Sequence, residues 1–231
     1  MTNAEGNPTI ENIGDLRIYS VFRRLRLSRK MQRNRQQRQV GDNCPLIYAL
    51  KAKEGLTADI TSIVRLSKSF ARIAEKISQL EPQGYQLVIS MPSAHQISKV
   101  VGKRFARRFS APHIFTAFRK ITVDEAFRLV DRADVSVEEA KSLAYQVKLQ
   151  SREVGLAGDF SLKGISPALR EAIPPLAWNV VPQLNFHPQR ILLVDDLLAS
   201  GTTLNTAACI VQQHYPGATV HAACLFSSAG R

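Results

Sequence analysis

Fourteen residues near one end of the chain, Ile191-Leu192-Leu193-Val194-Asp195-Asp196-Leu197-Leu198-Ala199-Ser200-Gly201-Thr202-Thr203-Leu204, constrain its fold more than any other stretch. An unbroken apolar run suits a strand buried on both faces of a parallel sheet. It passes directly into two carboxylates, then into small and hydroxylated residues, then into helical spacing. The pattern is a strand, a loop and the start of a helix. In an open parallel sheet, ligands sit beyond the carboxyl ends of the strands, which is where Asp195 and Asp196 are expected.

The loop can offer backbone N–H groups and hydroxyls to an anion, and the following helix adds a partial positive charge at its N-terminus. Acids beside such a cradle suit a sugar phosphate: diol hydroxyls donate to the carboxylates, while Ser200, Thr202, Thr203 and the Gly201 backbone surround the phosphate. A side chain at Gly201 would obstruct the turn or the close approach. The plain alternative is a strand ending in a solvated acidic turn that caps a helix.

The stretch resembles the signature of the type I phosphoribosyltransferases, which bind 5-phosphoribosyl 1-diphosphate (PRPP). The resemblance implies a doubly wound, mainly parallel α/β sheet with a hood over the site. It implies that Asp195 and Asp196 contact the ribose hydroxyls, and that Leu198, Ala199, Ser200, Gly201, Thr202 and Thr203 bind PRPP around the 5-phosphate. It also implies Mg2+ accompanying PRPP. A narrower likeness is carried by Pro45-Leu-Ile-Tyr-Ala-Leu-Lys51, by Gln146 to Arg152, by Gly158-Asp-Phe160 and by the late signature, which recur in this order in the competence protein F-like group. Members of that group often carry an N-terminal zinc ribbon with paired cysteines; a basic stretch stands in its place here.

At 231 residues the chain can bury one good core with a small appendage. The division expected is a basic helical N-terminal extension over residues 1–43 and a phosphoribosyltransferase-like domain over 44–231, with the hood at about 119–180. Residues 1–14 read as loosely ordered. From Asp15 a helical spacing places Ile18, Val21, Phe22 and Leu25 on one face. No secretory or membrane-spanning pattern is visible, so the reading is a cytoplasmic protein with no membrane partner. Cys44, Cys209 and Cys224 form no close pair, and the latter two read as small core residues.

The formal net charge is +12, and nine Lys or Arg with no acid fall between Arg17 and Arg38. Arg23, Arg24, Arg26, Arg29, Lys30, Arg33, Arg35 and Arg38 are therefore candidates for phosphate contacts with nucleic acid. A solvated basic arm packed on the main domain is the alternative.

Thr57 is the expected N-cap of a core helix carrying Ile60, Ile63, Val64, Phe70, Ile73 and Ile77. Tyr85 to Ser90 reads as the first parallel strand, and Pro112 to Phe118 as the next. Pro92, Ser93, Ala94 and His95 occupy the loop between the first strand and its helix, the place where the resemblance implies a diphosphate-binding loop. Ser136-Val-Glu-Glu139 is a capping box. Pro167, Pro174, Pro175 and Pro182 fit an irregular cover better than a strand. Arg128, Arg132, Lys148 and Arg152 read as salt-bridging residues of solvated helices.

Two functions follow as expectations. One is transfer of phosphoribosyl from PRPP to an unidentified acceptor with release of diphosphate, with no residue assigned as general acid or base. The other is a non-catalytic sensor of PRPP or a nucleotide, binding nucleic acid through the basic segment in DNA uptake, regulation or defence. A homo-oligomer or a protein partner is compatible with both.

Overall fold

The computed structural model of the protein describes residues 2–24, 45–93, 95–179 and 184–229. A six-stranded sheet forms the centre, in the order β1 (Thr9–Ile13), β2 (Leu16–Arg24), β8 (Thr219–Ala229), β7 (Arg190–Leu197), β3 (Leu87–Ser90) and β4 (His113–Ile114). The first pair is antiparallel and every other pair is parallel. Helices cover both faces. On one face, α6 (Thr202–His214) packs Leu204, Ala207, Ala208 and Val211 against Ile89, Leu193 and Ala222. On the other, α2 (Ile60–Leu80) and α3 (Ile97–Phe109) bring Phe70, Ile73, Ile77, Val101 and Phe105 onto Val88, Leu192 and Val194, with Ile47 of the short α1 (Pro45–Leu50) in the same cluster. The alternation along β3 and β7 follows from the period of two of a strand. Gly102 lets α3 sit close to the sheet: a Cβ there would lie 2.1 Å from Ser90 Oγ and 2.6 Å from His113 Nε2.

The helix expected from Asp15 is corrected to strand β2. It runs between β1 and β8 in the interior of the sheet, and Ile18, Tyr19, Ser20, Val21 and Phe22 are buried in succession because both of its faces are covered. The loosely ordered start is corrected too. Thr9–Ile13 is a strand, and the buried Asn7 side chain donates to Asn3 O at 2.8 Å and accepts from Arg23 N at 3.0 Å. Residues 9–24 thus share the sheet of the main body rather than forming a helical extension.

Smaller differences have local causes. Asp59, not Thr57, caps α2, its Oδ1 accepting from Ser62 N at 2.7 Å. Ile60, Ile63 and Val64 of α2 are exposed, because only the later turns reach the sheet. The segment 112–118 is divided between β4 and the start of β5 (Phe118–Lys120), which belongs to a second sheet. Cys209 is exposed rather than core, while Cys224 is buried.

That second sheet pairs β5 with β6 (Leu176–Trp178) in antiparallel fashion, so a strand does follow Pro174 and Pro175, which sit just before its first residue. Together with α4 (Val123–Val130) and α5 (Val137–Val154) it makes a lobe with its own core of Ile121, Val123, Leu143, Val147, Phe160 and Ile173. Both helices open on capping boxes, Thr122 with Glu125 and Ser136 with Glu139. Arg128 pairs with Asp124 one turn away on the solvent face of α4. Trp178 ties the lobe to the main body by stacking on His214 of α6 with ring centroids 4.3 Å apart.

At the starting ends of β2, β7 and β8, a charged cluster surrounds Glu81, which follows α2 and is 5% exposed. Its carboxylate accepts from the Tyr19 hydroxyl and from the Arg190 guanidinium, and lies 3.5 Å from Arg17 and 3.3 Å from His221 Nδ1. The Tyr85 hydroxyl is 2.8 Å from the same histidine nitrogen. Burial pushes the Tyr19 hydroxyl up to about 12, reinforced by the bond to Glu81. Burial also lowers the His221 imidazole, against the pull of Glu81.

Candidate functional site

Strands β3 and β7 are neighbours, yet the chain leaves them in opposite directions, β3 toward β4 and β7 toward β8. A crevice opens at such a switch point, beyond the carboxyl ends of both strands. The loops leaving β3 and β7 meet there. Ser93 Oγ lies 3.5 Å from Asp196 Oδ2. Of the loop residues 92–95, Pro92, Ser93 and His95 line this side, and Ala94 falls outside the described residues.

The acid pair ends β7. Asp196 is 6% exposed, and the Asp196 amide donates to Asp195 Oδ1 at 2.7 Å. Burial, and then the neighbouring Asp196 charge, pushes the Asp195 carboxyl up to about 7, with the Asp196 amide and Lys51 pulling the other way. Lys51 is the partner that sequence spacing does not reveal. It follows α1 and places Nζ 2.8 Å from Asp196 Oδ2, with only 17% of its side chain exposed. Along the chain Lys51 only closes a short apolar segment, with no sign of what it meets. Two non-glycine residues just after it, Ala52 and Glu54, have φ of 49° and 53°. Such conformations cost energy and often flank functional positions.

Leu198 is buried in the sheet core and Ala199 and Ser200 are exposed at the turn. Gly201 has φ of 80°, a left-handed conformation in which a side chain would be strained. A Cβ there would also lie 2.1 Å from Ile13 Cδ1, so the N-terminal hairpin backs the loop. Thr202 and Thr203 begin α6, and Ser200 Oγ is 3.0 Å from Thr202 Oγ1. The sequence expectation of a tight hydroxylated turn opening a helix holds in its geometry.

Two basic walls frame the crevice. Beside the β3 loop, a cavity of about 300 Å3 is lined by Ser93, His95 and Lys99, and Lys99 Nζ stands 3.6 Å from the centre of the Phe115 ring. Spacing alone does not single out Lys99; the signal available is its place in the first turn of a helix that has no acid there. On the other side, a cleft of about 280 Å3 separates the β7 loop from the lobe, with Lys120, Lys163 and Arg170 on the lobe side and Pro92, Ser200 and Thr203 opposite. Arg170 donates to Ser200 Oγ at 3.3 Å across it.

Of the nucleic-acid candidates, Arg23 and Arg24 end β2; the Arg23 side chain is exposed, and the Arg24 amide donates to Ser227 Oγ at 2.8 Å. Arg26, Arg29, Lys30, Arg33, Arg35 and Arg38 lie outside the described residues. Among the described residues no helix is long and apolar enough to cross a membrane, and no three His, Cys, Asp or Glu side chains converge as a metal cage. No protein-family model matches the chain, and a search of curated proteins finds no match.

Proposed function

We propose that this chain binds PRPP at the crevice and transfers its phosphoribosyl group to a nitrogen acceptor. The observation carrying this reading is the meeting of two anion-suited loops at the acid pair, with Ser93 3.5 Å from Asp196. In this reading Asp195 and Asp196 accept hydrogen bonds from the ribose hydroxyls. Ser200, Thr202, Thr203 and the amides of residues 199–203 hold the 5-phosphate at the N-terminus of α6, whereas the buried Leu198 gives its amide to Phe226 O at 2.9 Å and only supports the turn. Pro92, Ser93 and His95 with Lys99 receive the diphosphate. Lys51 offsets the Asp196 charge, so two adjacent acids persist in a site built for an anion.

The acceptor nitrogen forms a bond to ribosyl C1 as the bond from C1 to the diphosphate oxygen breaks. Diphosphate leaves with the electron pair, and the acceptor's N–H proton passes to the departing diphosphate or to water. The protein's part is to align the two reactants and to stabilise charge on the departing group. The two carboxylates are hard oxygen donors, too few for an all-protein cage but suited to Mg2+ held mainly by substrate oxygens. Such an ion would neutralise diphosphate charge, and Asp195 or Asp196 would be its protein contact.

Calorimetry with PRPP and Mg2+ tests the reading. Wild type binds one equivalent, and Asp195→Asn with Asp196→Asn weakens binding on the order of a hundredfold, since hydrogen bonds to charged acceptors are worth about 1.5–3 kcal/mol each. Equal binding by the two proteins would sink the proposal. Tight binding without diphosphate release, whatever nucleobase or amine is offered, would leave the sensor reading instead.

The concentration of nine basic residues between positions 17 and 38 favours nucleic acid as a further partner. Retention of a duplex by the whole chain should then fall steeply between about 50 and 200 mM salt. A flat salt response excludes it.

A further inference from the structure

We propose that the acceptor entering the cleft between the lobe and the β7 loop carries an oxyanion, a carboxylate or a phosphate, on a flat apolar body. This rests on the PRPP reading. The diphosphate is matched in that reading by the β3 loop and the 5-phosphate by the β7 loop, whose Ala199, Ser200 and Thr203 form the facing wall of this same cleft; the lobe cations exceed the roughly two negative charges of one phosphate group. Lys120, Lys163 and Arg170 all line the 280 Å3 cleft, and among the described residues that line it none is Asp or Glu. Lys120 does reach Asp159 at 3.6 Å, but that carboxylate is 72% exposed, and a solvated pair of this kind is weak and exchangeable.

Arg170 is held rather than loose. Its Nε donates to Ile165 O at 3.1 Å and its guanidinium reaches Ser200 Oγ at 3.3 Å, which fixes a planar donor at the mouth of the cleft. Phe160, Leu162, Pro175 and Leu176 line the same cleft. Apolar surface with a few convergent charges orients a small ring by its charged substituent. A neutral ring seated there would take water from cations and return no partner, which costs binding energy. A ring bearing an oxyanion pairs with them.

The test uses the full chain saturated with Mg2+ and PRPP, so that the phosphate loop is filled. Two matched pairs of small aromatic probes are titrated: benzoate against benzamide, and phenyl phosphate against phenol. The charged member of at least one pair should bind tenfold or more tightly than its neutral counterpart, and the pair that does so identifies carboxylate or phosphate. In Lys120→Ala with Lys163→Ala that preference should vanish, with the neutral probes unaffected. Equal binding within both pairs, no binding of any probe, or a double variant that weakens PRPP and spares the charged probe overturns the inference alone. Failure of PRPP to bind the wild-type chain removes the underlying reading and this inference with it.

Discussion

Replacing Glu81 by alanine should destabilise the protein markedly. The carboxylate is buried and serves the Tyr19 hydroxyl and the Arg190 guanidinium at once, with Arg17 and His221 close by. Deleting it leaves a half-buried Arg190 charge and a buried hydroxyl without their acceptor. Loss of one partner from such a buried group typically costs about 3–5 kcal/mol. For a chain of this size that corresponds to a fall in Tm of roughly 6–20 °C. Denaturant unfolding of Glu81→Ala beside Glu81→Gln checks it, because glutamine keeps an oxygen for Tyr19 and removes the charge. The glutamine variant should fall between wild type and alanine. A loss below about 1 kcal/mol for alanine, the value of an ordinary exposed pair, would mean that the cluster is solvated and not a structural tie.

The second large effect is a gain of stability at the acid pair. Burial first and the Asp196 charge second push the Asp195 carboxyl up to about 7 in the folded protein, from an ordinary value of 3.8. As pH rises past about 4 the unfolded chain releases this proton, while the folded chain keeps it until about 7. Stability therefore declines across that window and levels off above it. A tenfold difference in proton affinity between the folded and unfolded chain corresponds to about 1.4 kcal/mol, so the decline attributable to this group is on the order of 2–4 kcal/mol. Asp195→Asn, which retains the oxygen facing the Asp196 amide, removes the titration. Its unfolding free energy should exceed that of wild type at pH 8 and approach it near pH 4. A difference between the two proteins that does not change with pH would exclude the burial of this charge as the cause.

How far the fold is legible along the chain varies with how local each signal is. The β7 to α6 passage combines an apolar run, a glycine and helical spacing within a few residues, and Leu204, Ala207, Ala208 and Val211 are all buried. The capping box at Ser136 and Glu139 is likewise a local hydrogen-bonded unit, present in the structure. The N-terminal strands mislead because Ile18, Val21 and Phe22 fit helical spacing. An internal strand is apolar at nearly every position, so a subset always mimics three-and-four spacing. The better signal is enrichment in Ile, Tyr, Val and Phe after a Gly14-Asp15 turn, the composition of a strand following a hairpin. Lys51 and Asp196 meet only through the tertiary fold, as do Ser93 and Asp196. No spacing in the chain announces such meetings, and the lobe's cations over the β7 loop belong to the same category.

The lateral pairing of β2 with β8 has a consequence for synthesis. Residue Ser20 faces Cys224 across that ladder. On a ribosome, the hairpin carrying Ile18, Val21 and Phe22 emerges well ahead of β8 and waits with one strand edge unsatisfied until β8 has been made. Closing so long a loop is slow, and the waiting edge is exposed to wrong partners meanwhile. Chaperone demand during translation should therefore concentrate on residues 9–24, distant along the chain from the β7 loop although Ile13 ends up beside Gly201.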